Sequence, residues 1–259
     1  GEIVDVGEGV DRNRIGERVW IWNGAFGRAD GTCAELISLP EFQAVKINNE
    51  VSYGSAACMG IPASTAYYGL LANGPIKNKT VLISGGAGAV GFYGIQIAKL
   101  SGANVITTIS NDEKAEIANN AGADKVINYK NENVLEEIME YTENDGVDRI
   151  FEVEFGGNLP INEKIIKPNG VIAAYGSMAE MEPQLPFYNL MFKGVKIDTF
   201  LIYSIEKKFR EEILNGLSEL LNQNSLKHMI SQTYSIDDVV NAHEAMESGT
   251  VIGNIVIEI

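Results

Sequence analysis

The sequence predicts an α/β protein built on a doubly wound parallel sheet, with a second and smaller β-rich lobe. Between about Ser64 and Phe200, strand-like and helix-like stretches alternate, which is typical of parallel βαβ units. Within this region an apolar strand beginning at Val81 runs directly into a cluster of glycines. Short alternating stretches with glycine-rich turns precede the region, and helices with a last strand follow it.

Composition narrows the class of protein. The chain has 259 residues, of which 45% are apolar, enough for one large domain or two ordinary ones. A formal net charge of −15 argues against nucleic acid or an anionic membrane surface as the main partner. No apolar run is long enough to span a membrane, and the start of the chain has no leader-like pattern. We expect a cytoplasmic protein that binds neither nucleic acid nor membrane.

The first part of the chain carries strand signals. Alternating patterns predict strands at Ile3 to Val6, Arg18 to Trp22 and Thr32 to Leu39. The long turn from Asn23 to Gly31 either borders a pocket or is an exposed loop.

The glycine cluster has the spacing of a dinucleotide-binding turn. Gly86 would permit the tight turn, Gly88 would let the backbone approach a pyrophosphate, and Gly91 would let the next helix pack closely. That helix is predicted from Val90 to Ser101, and Gly102 ends it. Phosphates would lie at the N-terminus of the helix, where free N–H groups converge.

Ligands of such sheets bind beyond the carboxyl ends of the strands, so residues that directly follow a strand are candidates for function. The predicted strands are Thr80–Ser84, Asn104–Ile109, Lys125–Asn128, Arg149–Val153, Val171–Tyr175 and Val195–Phe200.

The pattern changes after Phe200. A helix is predicted from about Ile205 to Leu221, a second helix is opened by Ser235, and a last strand covers Ile255 to Ile259. This strand is expected to pair with the first lobe. The predicted division is therefore a β-rich lobe over residues 1–63, a dinucleotide-binding domain over 64–200, and a returning segment over 201–259.

Four stretches resemble the medium-chain dehydrogenase/reductase superfamily, and within it the zinc-free quinone oxidoreductases related to zeta-crystallin. They are Gly16-Glu-Arg-Val-Trp with Asp30-Gly-Thr-Cys-Ala-Glu-Leu, Gly60-Ile-Pro-Ala-Ser-Thr-Ala-Tyr, Ile83-Ser-Gly-Gly-Ala-Gly-Ala-Val-Gly, and Ala121-Gly-Ala-Asp-Lys-Val-Ile-Asn-Tyr. The resemblance implies a Rossmann-type domain, a GroES-like catalytic lobe that lacks its first half here, and a homodimer or homotetramer. It also implies hydride transfer from NADPH to a quinone or a similar small, electron-poor acceptor.

Zinc is not expected. In the zinc alcohol dehydrogenases of the superfamily a ligand cysteine stands where this chain has Ile61. The remaining soft ligands are Cys33, Cys58, His228 and His243, which are too few and too scattered for a zinc site.

The end of the second strand bears on the choice of cofactor. An NAD site has a carboxylate there to bind the ribose 2′-hydroxyl, whereas this strand ends at Ser110, with Asp112, Glu113 and Lys114 beyond it. One interpretation is a capping box from Ser110 to Glu113 with a solvated Lys114. The resemblance instead implies that Ser110, Lys114 and Tyr129 hold the adenosine phosphate, which favours NADPH over NADH.

The resemblance also implies the other cofactor contacts. They are the pyrophosphate turn (Gly86, Ala87, Gly88, Ala89, Val90, Gly91), a polar contact from Asn158, one wall of the nicotinamide pocket (Tyr175, Gly176, Ser177, Met178), the opposite wall (Thr199, Phe200, Leu201), and Thr65 near the ring. Core packing is an equal alternative for Tyr175 and Phe200, and a helix cap is an alternative for Asn158.

No catalytic side chain is predicted, because the cofactor carries the chemistry. Glu152 and Glu154 flank a strand end, and Glu152 is expected to be structural. Two alternatives stay open: an enoyl or enone reductase of the same fold, and a nucleotide-binding module without turnover.

Overall fold

The computed structural model describes all residues from Gly1 to Ile259. The chain divides into two compact units: one comprises Gly1–Ser64 with Glu206–Ile259, and the other comprises Thr65–Ile205. None of its helices has the length and apolar character needed to cross a membrane.

The chain forms ten strands and nine α-helices. The strands are β1 (Val19–Ile21), β2 (Ala44–Lys46), β3 (Thr80–Ile83), β4 (Asn104–Ile109), β5 (Lys125–Asn128), β6 (Val147–Glu152), β7 (Ile166–Ala174), β8 (Lys196–Thr199), β9 (Ile230–Ser235) and β10 (Asn254–Glu258). The helices are α1 (Tyr53–Ala57), α2 (Gly60–Leu71), α3 (Ala89–Leu100), α4 (Asp112–Ala121), α5 (Val134–Tyr141), α6 (Phe155–Ile165), α7 (Phe187–Lys193), α8 (Lys207–Asn222) and α9 (Val239–Glu247).

The unit from Thr65 to Ile205 contains a six-stranded sheet in the order β5-β4-β3-β6-β7-β8, with every pair parallel. Buried aliphatic residues run along its central strands, among them Leu82, Ile106, Ile150 and Ile172. A strand covered on both faces is expected to be continuously apolar. The predicted fold class, a Rossmann-type doubly wound sheet, is confirmed, and all six predicted strands are present within a few residues of their expected bounds.

The direction of the sheet reverses between β3 and β6. From β3 the chain proceeds outward to β4 and β5, and then returns to add β6, β7 and β8 on the other side. In open α/β sheets ligands usually bind where the strand order reverses, which here is at the carboxyl ends of β3 and β6.

The β-rich unit differs from its prediction. Thr32 to Leu39 forms no strand, because its alternating residues find no core, and Leu36 is 72% exposed. The partner of β1 is instead β2, in antiparallel register. The predicted strand at Ile3 to Val6 is reduced to a single bridge between Glu2 and Arg18. The last strand, β10, is expected to pair with the first lobe, but it pairs in parallel with β9. No strand is predicted at the position of β9.

Arg149 is an unusual core residue of β6. Its side chain is only 1% exposed, and burial lowers the pKa of its guanidinium. The guanidinium donates to the carbonyl oxygens of Leu70, Asn73 (2.7 Å) and Gly74 (3.1 Å) at the end of α2. The last carbonyls of a helix have no donor within it, and here a buried cation satisfies that of Leu70 together with two carbonyls just beyond α2.

Lys193 plays a similar part for α6. Its ammonium donates to the carbonyl oxygens of Glu163 (2.7 Å), Lys164 (3.0 Å) and Ile166 (2.8 Å). We expect Lys193→Met to lower the free energy of unfolding by about 1–2 kcal/mol, because the carbonyls lose a charged donor. Urea denaturation measures this, with Lys207→Met as control, since Lys207 is 77% exposed in a 3.6 Å surface ion pair. Equal effects of the two variants would contradict the capping role.

Candidate functional site

The turn after β3 depends on Gly85. Its φ of +73° lies in the left-handed region, whereas Gly86 has no positive φ. The expectation that Gly86 provides the tight turn is therefore wrong, and the preceding glycine provides it. The turn is held by hydrogen bonds from Gly85 N–H to Thr108 Oγ1 (3.2 Å), from Gly86 N–H to the Thr108 carbonyl (3.1 Å), and from Gly88 N–H to the Gly85 carbonyl (3.0 Å).

Gly86 and Gly91 are required by close packing. A Cβ on Gly86 would overlap Thr107 Oγ1 and lie 2.9 Å from Ile95 Cδ1. A Cβ on Gly91 would overlap the Gly85 carbonyl oxygen and lie 2.9 Å from Gly86 Cα. The first turn of α3 thus lies directly against the glycine turn.

Gly88 faces open space. A Cβ there would have one neighbour within 4 Å, the Gly85 carbonyl oxygen at 3.4 Å. Gly88 is the N-cap of α3 and contributes no side-chain cap. Ala89, Val90 and Gly91 are the first three residues of α3, and N–H groups at this position have no acceptor within their helix. The turn fits a phosphate group, which would accept hydrogen bonds where no side chain intervenes.

Ser110 and Lys114 follow β4. Lys114 Nζ donates to Ser110 Oγ at 3.1 Å. The N-cap of α4 is Asn111, whose side-chain oxygen accepts from Lys114 N–H at 2.9 Å. The capping box from Ser110 to Glu113 is therefore wrong: Asn111 caps the helix, and the Ser110 hydroxyl is paired with the lysine ammonium instead.

Tyr129 lies at the neighbouring strand end. It follows β5, its N–H donates to the Ile109 carbonyl at 3.1 Å, and it is 49% exposed. Lys130 Nζ lies 5.1 Å from the centre of the Tyr129 ring. Lys130 was not among the predicted site residues, although it directly follows the matched stretch that ends at Tyr129. Two ammonium groups and two hydroxyl-bearing residues thus stand at adjacent strand ends of a chain with net charge −15.

Glu152 is a fully buried carboxylate at the end of β6. It accepts hydrogen bonds from Ser84 Oγ (3.0 Å), Glu154 N–H (2.8 Å), Asn158 Nδ2 (2.9 Å) and Asn162 Nδ2 (2.8 Å). Buried carboxylates require such partners. Asn158 lies inside α6, whose N-cap is Glu154, so the capping alternative for Asn158 is wrong. The contacts of Glu152 join the ends of β3 and β6 to α6.

The predicted nicotinamide walls contain a cluster of aromatic rings. The Tyr175 ring centre lies 4.7 Å from that of Phe151 and 6.3 Å from that of Phe200, and Phe200 lies 4.7 Å from Tyr68. Burial raises the pKa of Tyr175, and the charge of Glu152 raises it further. Deprotonation of the Tyr175 hydroxyl is therefore shifted to more alkaline pH than for an exposed tyrosine.

The remaining predicted residues are distributed along the same edge of the sheet. Met178 is 76% exposed in the loop after β7, which also holds Gly176 and Ser177. Thr199 ends β8, and Leu201, two residues on, is 54% exposed. Because the six strands are parallel, the residues that follow them meet at one edge. Thr65 does not follow a strand: it lies on α2 and is 5% exposed.

The donor set does not fit a zinc ion. No group of three or more His, Cys, Asp or Glu side chains is placed to hold a metal. Burial raises the pKa of the Cys58 thiol to about 11, which disfavours the thiolate that a metal requires. Cys33, the other cysteine, is exposed.

Comparisons with known proteins identify the family. Residues 89–219 match the family model described as zinc-binding dehydrogenase. A quinone oxidoreductase-like protein 2 homolog of Nematostella vectensis is 30% identical over 264 residues, covering 99% of this chain and 71% of its own. The chain belongs to the medium-chain dehydrogenase/reductase superfamily, in the quinone oxidoreductase family. This confirms the resemblance, and places the chain in a family of oxidoreductases.

Other relatives agree with this assignment. Human quinone oxidoreductase is 26% identical over 253 residues, which cover 96% of this chain and 74% of the human protein. The crystal structure of Escherichia coli quinone oxidoreductase complexed with NADPH superposes on this chain with a TM-score of 0.84 and 25% sequence identity. The match covers 99% of this chain and 79% of the Escherichia coli chain.

Proposed function

We propose that this chain is an NADPH-dependent reductase that passes a hydride to a quinone or a similar electron-poor small molecule, without zinc. The observation that carries the proposal is the Ser110–Lys114 pair at the end of β4. A carboxylate at this place would accept from a ribose 2′-hydroxyl and repel a 2′-phosphate. A hydroxyl and an ammonium instead offer donors to that phosphate.

Further support comes from the glycine turn and from the relatives. The open face at Gly88 fits a pyrophosphate, and the Escherichia coli quinone oxidoreductase of similar structure is complexed with NADPH. NADPH supplies the hydride when it is bound. The residues of this chain would bind the phosphates, orient the ring against the acceptor and exclude water, so no protein nucleophile is required.

The test of this function is steady oxidation of NADPH with a small quinone as acceptor. Turnover that persists after dialysis against a chelator supports a zinc-free reaction. Turnover with enones and none with quinones would favour the alternative reduction of a conjugated double bond. NADPH binding without turnover of either class would favour a nucleotide-binding module.

Lys114→Ala tests the cofactor assignment. We expect NADPH affinity to fall about 10- to 100-fold, because a charge-assisted hydrogen bond to phosphate is lost. NADH affinity should change less than about twofold, because NADH has no 2′-phosphate. Calorimetric titration measures both, with Lys164→Ala as control, since Lys164 is exposed on α6. A wild-type chain that binds NADH more tightly than NADPH would contradict the assignment.

A further inference from the structure

The loop after β7 is attached to the start of α6 by several hydrogen bonds. Backbone bonds run from Tyr175 N–H to the Glu152 carbonyl (3.0 Å) and from Phe155 N–H to the Gly176 carbonyl (2.9 Å). Gly156 N–H donates to Ser177 Oγ at 2.8 Å, and that hydroxyl donates to the Glu180 carbonyl. These bonds join the first part of the loop, from Tyr175 to Glu180, to the end of β6 and the start of α6.

Two glycines allow this close approach. A Cβ on Gly156 would lie 2.8 Å from Ser177 Oγ and 2.9 Å from Glu180 Cβ. A Cβ on Gly176 would overlap the Val153 carbonyl oxygen. At Gly156 and Gly176 the loop and the start of α6 leave no space for a side chain between them.

Glu154 joins the same two segments with its side chain. Its Oε2 accepts from the N–H groups of Met178 (2.8 Å) and Ala179 (2.9 Å), and its Oε1 accepts from Gly157 N–H (3.4 Å) at the N-terminus of α6. A carboxylate suits this place because all its partners are donors. The same hydrogen bonds, that of Ala179 first, hold the pKa of Glu154 below its usual range.

Glu154 is also connected to the glycine turn. Its own N–H donates to Glu152 Oε1, while Glu152 Oε2 accepts from Ser84 Oγ, directly before Gly85. Two carboxylates thus link the end of β3, the end of β6 and the loop after β7. These are the places where the phosphates and the nicotinamide are expected.

We propose that Glu154 is a positioning residue, which holds the 176–180 loop as a fixed wall of the nicotinamide pocket. The inference rests on the proposed function. A carboxylate that holds two consecutive N–H groups limits the loop to one conformation, and this lowers the ordering cost of binding the nicotinamide half. The adenosine half binds at β4 and β5, outside this contact.

Glu154→Gln tests the proposal, because the amide keeps the size but replaces one acceptor with a donor. The probes are NADPH and 2′,5′-ADP, which carries only the adenosine half. We expect NADPH to bind about tenfold more weakly to the variant, with 2′,5′-ADP unchanged within about twofold. Amide hydrogen exchange without cofactor should quicken across residues 176–180 and stay unchanged in α4. Glu163→Gln is the matched control, since Glu163 lies on α6 and its carboxylate accepts from Asn189 Nδ2.

Other outcomes would overturn the proposal. If both ligands weaken together, Glu154 supports the whole domain and not this wall. If neither ligand is affected and exchange is unchanged, the loop does not depend on Glu154. A wild-type chain that binds neither ligand would refute the proposed function itself, before any variant is made. Should Glu154→Gln fail to fold, Glu154→Asp keeps the charge on a shorter side chain, and the same selective loss of NADPH is expected.

Discussion

Gly91→Ala is expected to destabilise the chain by about 3 kcal/mol and to abolish NADPH binding. The added methyl group would overlap the Gly85 carbonyl oxygen and approach the Gly85 carbonyl carbon and Gly86 Cα, each to 2.9 Å. These are backbone atoms, which have no rotamer to move away. Either the turn or the first turn of α3 must shift. Urea denaturation and NADPH titration measure the two effects.

Two other glycine-to-alanine variants serve as comparisons for Gly91→Ala. Gly7→Ala is the control for stability, because nothing lies within 4 Å of its Cβ position. Gly88→Ala should fold and lose less than about 1 kcal/mol of stability, since its Cβ makes ordinary contact and alanine is only a poorer N-cap than glycine. It should nevertheless weaken NADPH binding, because the methyl group faces the expected pyrophosphate. A Gly91→Ala variant of normal stability would show that the turn yields more easily than its packing indicates.

Arg149→Met is expected to lower the free energy of unfolding by about 3 kcal/mol. Methionine fills most of the space but leaves the carbonyls of Leu70, Asn73 and Gly74 without their donor. The charge itself is costly to bury, as its lowered pKa indicates, so the loss comes from unsatisfied carbonyls. Thermal or urea denaturation measures the change.

Arg12→Met is the control for Arg149, because Arg12 is an exposed arginine. A stability of Arg149→Met equal to or above that of the wild type would contradict the prediction. It would mean that the carbonyls find other donors, and that a well-packed apolar side chain is better tolerated than the buried cation.

The sheet could be predicted because its signals are local. β3 and β4 are short strands of mainly apolar or β-branched residues, and the glycine spacing marks the first βα junction. The β-rich unit was predicted less well, because Thr32 to Leu39 alternates like a strand but has no core to cover. Pairing of β9 with β10 depends on residues about two dozen positions apart, and the polar β9 gives little sign of it.

The residues of the site show the same contrast between local signals, which could be read from the sequence, and contacts between distant residues, which could not. Ser110, Lys114 and Tyr129 could be named from the family resemblance, since Ser110 and Tyr129 directly follow strands and Lys114 lies in the first turn of the next helix. The choice between Ser110 and Asn111 as the N-cap of α4 could not be made from the sequence, because both side chains are good caps. It depends on the residue at which the helix begins. The role of Glu154 depends on a loop more than twenty residues further along the chain. No spacing rule relates residues that meet only through the parallel order of strands.

The hydrogen bond between Lys114 and Ser110 has a consequence for selectivity. A free lysine side chain samples many rotamers, and fixing one on binding costs about 0.5–1.5 kcal/mol. In this chain Lys114 Nζ is already held at 3.1 Å from the Ser110 hydroxyl before any ligand arrives. Part of that entropic cost is met during folding, so under the proposed function a 2′-phosphate would meet a preorganised charge. Under the proposed cofactor assignment, we expect discrimination between the two nicotinamide cofactors to depend on the ordering of Lys114 in addition to its charge.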